Sequence, residues 1–232
     1  AGRIMSYAGL RYYQNTMDSE RAKFMADAED KVTNFTTPTV FYGLEFNRLD
    51  DDHLARAYSA NADLARYKPV LDRMRAMRPH QLSDELEKYL HDTSAVGASA
   101  WNKLFDETMA GLMFDVAGQD EPLNLEATLN LLTDLDRTRR EAAAHALAVV
   151  FRKNIKLFAR VHNTLAKGKE LDDRWRKMPT PQYGRHLSNH VEPEVVEALR
   201  NAVVAAYPKL SHRYYRLKAK WMGLEKLQVW DR

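Results

Sequence analysis

Chain breakers are scarce in this sequence: 9 glycines and 8 prolines among 232 residues. The stretches between them are rich in Ala, Leu, Arg, Lys and Glu, the residues that lose least on entering a helix. The expected fold is therefore all-α, a multi-helix lobe with long antiparallel helices. Where breakers gather they mark joints. Leu10, Tyr13, Met17, Phe24, Ala28 and Val32 recur at helical spacing and predict one helix over 7–32, ended at Pro38, which pushes Thr37 out of the helical region. Asp50 to Asp52 break the chain again and cap a helical run to about Met77. Ser83 resembles the next cap, without a full capping box. An amphipathic helix follows through Trp101, Leu104, Phe105 and Met109. Residues 125–169 read as helix with a break near Leu135 to Thr138. "KMPTPQYG" (177–184) is the clearest linker, and Pro193 opens a last helix that bends at most at Pro208. The exception is 111–126: Phe114 and Val116 alternate with polar residues, "AGQDEP" supplies a turn and "LNL" returns, so at most one short β-hairpin is expected near 112–125.

Composition narrows the class. With 45% apolar residues the chain can bury a sizeable core. Its longest apolar block, "AAAHALAVVF" (142–151), is broken by His145 and falls short of the roughly 18 residues of a membrane span. The absence of cysteine removes disulfides, thiolate ligands and a cysteine nucleophile together. No basic-then-apolar leader or small-residue cleavage site is visible, so the expected compartment is the cytoplasm. Charge is divided: residues 1–138 carry 15 Lys and Arg against 23 Asp and Glu, while 139–232 carry 20 against 9. The halves should attract each other or, in the basic half, an acidic partner.

The most suggestive motif is "RHLSNHVE", with His186 and His190 four residues apart. A zincin helix places two histidines at that spacing and a glutamate directly after the first as general base. Leu187 stands there instead. Pro193 follows closely, so the pair falls at a loop-to-helix junction where the imidazoles need not face one way, and it reads as a capping or packing pair. His212 and Glu225 are weak further ligand candidates. His53, His80, His91, His145, His162 and His212 stand singly; His145 and His162 would lie about 25 Å apart on one helix. No G-x-S-x-G, phosphate-binding glycine loop or Walker lysine occurs. The acids of 50–52 and 172–173 read as solvated caps. In the tail "HRYYRLKAKWMGLEKLQVW" (212–230), Tyr214, Leu217, Trp221 and Leu224 fall on one helix side, with Arg213, Arg216 and Lys220 largely off it. That pattern reads as a core face with a charged back rather than a nucleic-acid track. No catalytic, cofactor-binding or metal residue is assigned.

The stretch "HRYYRLKAKWMGLEKLQVWDR" is similar to one in oligoendopeptidase F, of the thimet-oligopeptidase group of zinc metallopeptidases. "AWNKLFDETMAGLMFDV", "LNLEATLNLL", "LTDLDRTRREAAAHAL", "LDDRWRKMPTP" and "SNHVEPEVVEALRNAV" agree in the same order, so the resemblance covers about Tyr7 to Arg232. It implies a cytoplasmic peptidase that hydrolyses internal bonds of short peptides, with zinc polarising the scissile carbonyl and a glutamate activating the attacking water. It also implies that the H-E-x-x-H helix lies beyond the "WDR" step, so this chain, which begins inside a helical pattern without a start methionine, is expected to be an interior piece, inactive alone and binding no zinc itself. The implied organisation is an N-terminal helical region (1–95), an N-terminal lobe domain (96–179) and the start of the catalytic lobe (180–232), walling a peptide channel. Expected partners are short peptides, with no nucleic acid and no membrane. An uncovered lobe face would expose Val196, Leu199 and Val203 on 193–222 and drive self-association. The competing reading is a stand-alone α-helical interaction module that binds an acidic partner through its basic C-terminal half.

Overall fold

The computed structural model describes residues 1–231. In chain order the helices are α1 (Gly2–Tyr13), α2 (Ser19–Thr36), α3 (Val40–Arg48), α4 (Asp51–Ala60), α5 (Ala62–Arg66), α6 (Lys68–Arg75), α7 (Asp84–Asp92), α8 (Ala98–Ala110), α9 (Leu125–Leu131), α10 (Arg137–Trp175), α11 (Tyr183–Asn189), α12 (Pro193–Ala206) and α13 (Ser211–Trp221). The fold is all-α, with no strand among the described residues. It divides into two compact units, one of residues 1–103 with 163–193 and the other of 104–162 with 194–232. Helices α8 and α10 each contribute residues to both.

In the first unit, short polar side chains set the helix starts. The Asp18 carboxylate accepts from the N–H groups of Glu20 and Arg21, Asp50 from His53, Asn61 from Leu64 and Ser83 from Leu86. Each satisfies a donor that the first helical turn leaves without a partner. Helix ends are held too. Arg75 of α6 donates to the carbonyls of Phe46 (2.8 Å) and Leu49 (2.7 Å) at the end of α3. The core of this unit holds Ala8, Tyr12 and Ala28 of the first two helices and Leu44, Phe46 and Leu54 of the next two.

Several expectations are corrected here. The single helix predicted over 7–32 is two, because Asp18 starts a new one after a turn at Gln14–Met17. Of the six periodic positions only Ala28 is buried. Thr37 is not expelled from the helical region: it keeps φ −51 and ψ −46, and Pro38 is absorbed into a 3-10 turn over Thr37–Thr39. The run to Met77 is three helices, interrupted at the Asn61 cap and again at Tyr67, where Pro69 follows.

In the second unit Phe114, Val116, Ala143, Ala146 and Leu147 form the buried centre, packed by Leu112, Leu123, Leu131, Val150 and Phe151. The expected hairpin shrinks to one antiparallel bridge, in which Phe114 and Leu123 exchange hydrogen bonds of 2.8 and 2.9 Å. The turn between them uses Gly118 at φ +85, a conformation that favours a residue without Cβ. Aromatic edges stitch the helices, with Phe114 on Phe151 (5.8 Å), Phe151 on Phe158 (6.1 Å) and Phe105 on Phe158 (5.8 Å). The break before α10 falls at 132–136, close to where it was expected, and the helix runs on to Trp175. Pro208 does more than bend the last helix: α12 ends at Ala206 and α13 begins at Ser211.

Candidate functional site

His186 and His190 do not share a helical face. Helix α11 has only seven residues, and His190 is its C-cap, in the left-handed conformation (φ 54, ψ 47), its N–H turned back to the His186 and Leu187 carbonyls. Both residues line one cavity of about 390 Å³ together with Asp72, Arg73, Tyr183 and Glu192. Leu187, at the general-base position, lines the same wall and carries no proton-accepting group. Among the described residues no group of three or more His, Asp or Glu side chains is placed to hold a metal ion. Of the pair, read from the sequence as capping or packing residues, His190 closes the C-terminus of α11 through its backbone N–H.

The other histidines are dispersed, and most have structural contacts. His80 is buried, donates from Nδ1 to the Arg176 carbonyl (2.8 Å) and meets the Tyr183 ring edge-on at 5.4 Å. His91 Nε2 bonds Thr36 Oγ1 at 2.9 Å. His145 sits 3.7 Å from Glu141 and packs on Trp230 at 5.4 Å. His212 lies against Tyr207. The acid runs are likewise engaged: Asp50 caps α4, Asp51 pairs with Arg75 and Arg78, Asp172 with Arg176 and Asp173 with Lys169.

Two polar knots escaped the sequence reading. In the first unit Arg176, just past the end of α10, donates to both oxygens of Glu87 (2.7 and 3.1 Å), to Asp172 (2.8 Å) and to the His80 carbonyl (3.3 Å). His80 returns a bond to the Arg176 carbonyl, so the end of a 39-residue helix is capped by a residue nearly a hundred positions earlier. Burial pushes the Glu87 carboxyl up, but the Arg176 guanidinium and the Leu82 N–H outweigh it and hold it below its ordinary value. In the second unit Asp231 is fully buried between Arg137 and Arg140, and Arg140 also donates to the carbonyls of Trp230, Asp134 and Leu135. No periodicity or short motif could have announced either knot, since their partners lie about ninety residues apart in the sequence.

The expected core face of the tail is corrected. Tyr214 and Trp221 are 51% and 69% exposed, and Leu217 is exposed as well. What α13 buries is Ala219. Beside it, Tyr215, Arg216, Glu225, Leu227 and Val229 line a cavity of about 490 Å³ whose inner wall includes Asp231. Glu225 shares this cavity with Asp231, whose carboxylate is taken up by Arg137 and Arg140, and no metal-holding group of three or more such side chains occurs among the described residues.

Among the described residues the arrangement offers cavities and fixed helix ends. Comparison with known proteins gives a consistent picture. The family model described as Oligopeptidase F matches residues 45–114. Group B oligopeptidase PepB of Streptococcus agalactiae is 24% identical over 99% of this chain, which covers 39% of that protein. Oligopeptidase PepF of Bacillus subtilis is also 24% identical over 99% of the chain, which covers 35% of it. The crystal structure of oligoendopeptidase-F from Enterococcus faecium has the same fold, with a TM-score of 0.86 at 24% identity, over 99% of this chain and 46% of that one. The chain therefore spans well under half the length of the curated relatives it matches.

Proposed function

We propose that this oligoendopeptidase F-like chain is the helical N-terminal and middle part of a zinc oligopeptidase that hydrolyses internal bonds of short peptides, and that it supplies wall and scaffold rather than chemistry. The observation that carries the reading is the span of the likeness, which runs across 99% of the chain while covering 39% and 35% of the two relatives. The division into 1–95, 96–179 and 180–232 is kept as part of this proposal, as is the cytoplasmic compartment. No helix of the described residues is long and apolar enough to cross a membrane.

Zinc belongs to the proposed parent enzyme, and the residues present here do not fit it. His186 and His190 are split between a helix and its left-handed cap, no third ligand joins them, and Leu187 cannot act as a base. No step of the hydrolysis is assigned to these side chains.

The test has two arms. Purified chain with added zinc is incubated with an internally quenched peptide; the expected result is no hydrolysis, with zinc retention unchanged by His186→Ala. Stoichiometric zinc and cleavage that disappear together in His186→Ala would overturn the scaffold role. The second arm reads the coding frame past Arg232, where an H-E-x-x-H helix is expected; a frame that stops at Arg232 would overturn the parent assignment.

A further inference from the structure

We infer that the exposed face of α10 over residues 149–163 is a cationic rail for extended, acidic peptides, carried by Arg152, Lys156 and Arg160 with Lys153 beside them. The inference rests on the reading of the chain as part of a peptide-handling enzyme and adds a substrate class to it.

The sequence holds no Asp or Glu between Glu141 and Glu170. Elsewhere on α10 the cations face carboxylates: Arg137 meets Asp231 and Glu141, Arg139 meets Asp134, Arg140 meets Asp231, Lys167 and Arg174 meet Glu170, and Lys169 meets Asp173. Arg152, Lys153, Lys156 and Arg160 are exposed, and none has a carboxylate partner among the described residues. Within α10 the unpaired charge is thus confined to the middle of the helix.

Geometry makes this charge a row. Arg152, Lys156 and Arg160 follow at intervals of four, which places them on one face about 6 Å apart along the axis. Same-side residues of an extended peptide recur at about 6.6–6.8 Å, two residues of strand rise. Carboxylates on alternate peptide residues therefore come nearly into register with the three cations, while the exposed Val149 and Ile155 add apolar surface on the same stretch of helix. The row is rigid, because the opposite face of the helix is buried through Ala143, Ala146, Leu147 and Val161. A single-stranded nucleic acid would want stackable rings beside the charge. The aromatic residues of this stretch, Phe151 and Phe158, instead pack on each other and on Phe114 and Phe105.

The 232-residue chain is titrated against fluorescently labelled short peptides of alternating glutamate and serine, the same peptides with glutamine for glutamate, and a single-stranded oligonucleotide. The expected result is binding of the glutamate peptide alone, weakening as salt rises and falling roughly tenfold or more in R152E/K156E/R160E. R152Q/K156Q/R160Q, with helicity checked by circular dichroism, repeats the test without reversing charge. Equal binding of glutamate and glutamine peptides overturns the acidic preference and leaves the peptide-wall reading intact. Binding of the oligonucleotide in place of the peptide, or of neither, overturns the rail, whereas the parent reading stands or falls on the coding frame and the zinc assay.

Discussion

At 1% exposure the Asp231 carboxylate tolerates burial because its acceptor positions are filled. Oδ1 takes Arg137 Nε at 2.8 Å and Arg140 Nη2 at 3.5 Å, and Oδ2 takes Arg137 Nη2 at 3.1 Å and the Gln228 N–H at 2.9 Å. The Arg137 bonds, helped by Gln228 and Arg140, hold its acid below the usual carboxylate range against the opposing effect of burial. A depressed folded-state pKa stabilises the protein above the unfolded value of about 3.9 and ceases to do so as pH falls through the folded value. Asp231→Asn keeps the size and removes the charge, leaving Arg140, itself buried, without its counter-ion. The expected loss is about 1.5–3 kcal/mol at neutral pH, the range for hydrogen bonds to charged groups. Urea unfolding of both proteins at neutral pH and near pH 3 checks this: the gap should narrow in acid, and a gap of equal size at both values contradicts the charged clasp.

Between elements, the Arg176 knot joins the end of α10 to α7 and to the turn that carries His80. Both charged partners are about 15% exposed, so their bidentate pair is poorly screened and geometrically fixed. Glu87→Gln should cost about 1.5–3 kcal/mol at neutral pH. Because the Glu87 acid is held below its ordinary value, that advantage is present above the unfolded pKa and lost as pH falls through the folded one. Hydrogen exchange should show faster opening at 84–92 and 170–176 in the variant, and unchanged exchange there would rule out the knot as a tether. The local parts of this architecture were legible in the sequence. Asp50 and Ser83 act within three residues of themselves, and the break before α10 and the Phe114–Leu123 pairing follow from short patterns. Leu10, Tyr13 and Met17 misled because helical spacing continues across the turn at 14–18, while the residues buried there are Ala8 and Tyr12, on a different face. Neither knot was legible, since each depends on a partner brought from a distant part of the chain. At the His186 and His190 pair, Leu187 and the nearness of Pro193 were legible in the sequence, whereas the left-handed cap at His190 was not.

For the molecule as a whole, the question is what an uncovered scaffold does in solution. Helix α12 presents Leu199 at 64% exposure, with Val195, Val203 and Val204 also exposed and Val196 partly buried. Folded monomers rarely leave contiguous apolar surface of this kind open to water, because each exposed branched side chain forgoes roughly 1.5–3 kcal/mol of burial. In the proposed parent enzyme such a face would be covered; in this chain alone, a second copy is the available cover. The expectation is a mass by light scattering that rises with protein concentration, and that returns to the monomer value in L199E/V203E, with circular dichroism unchanged. Salt separates this association from one made through the cationic face of α10. An apolar contact persists or strengthens as salt rises, whereas charge-driven contacts weaken over a Debye length of about 8 Å at physiological ionic strength. A chain that stays monodisperse and monomeric at every concentration would mean that α12 needs no cover, and the inference of a missing packing partner on that face would fail.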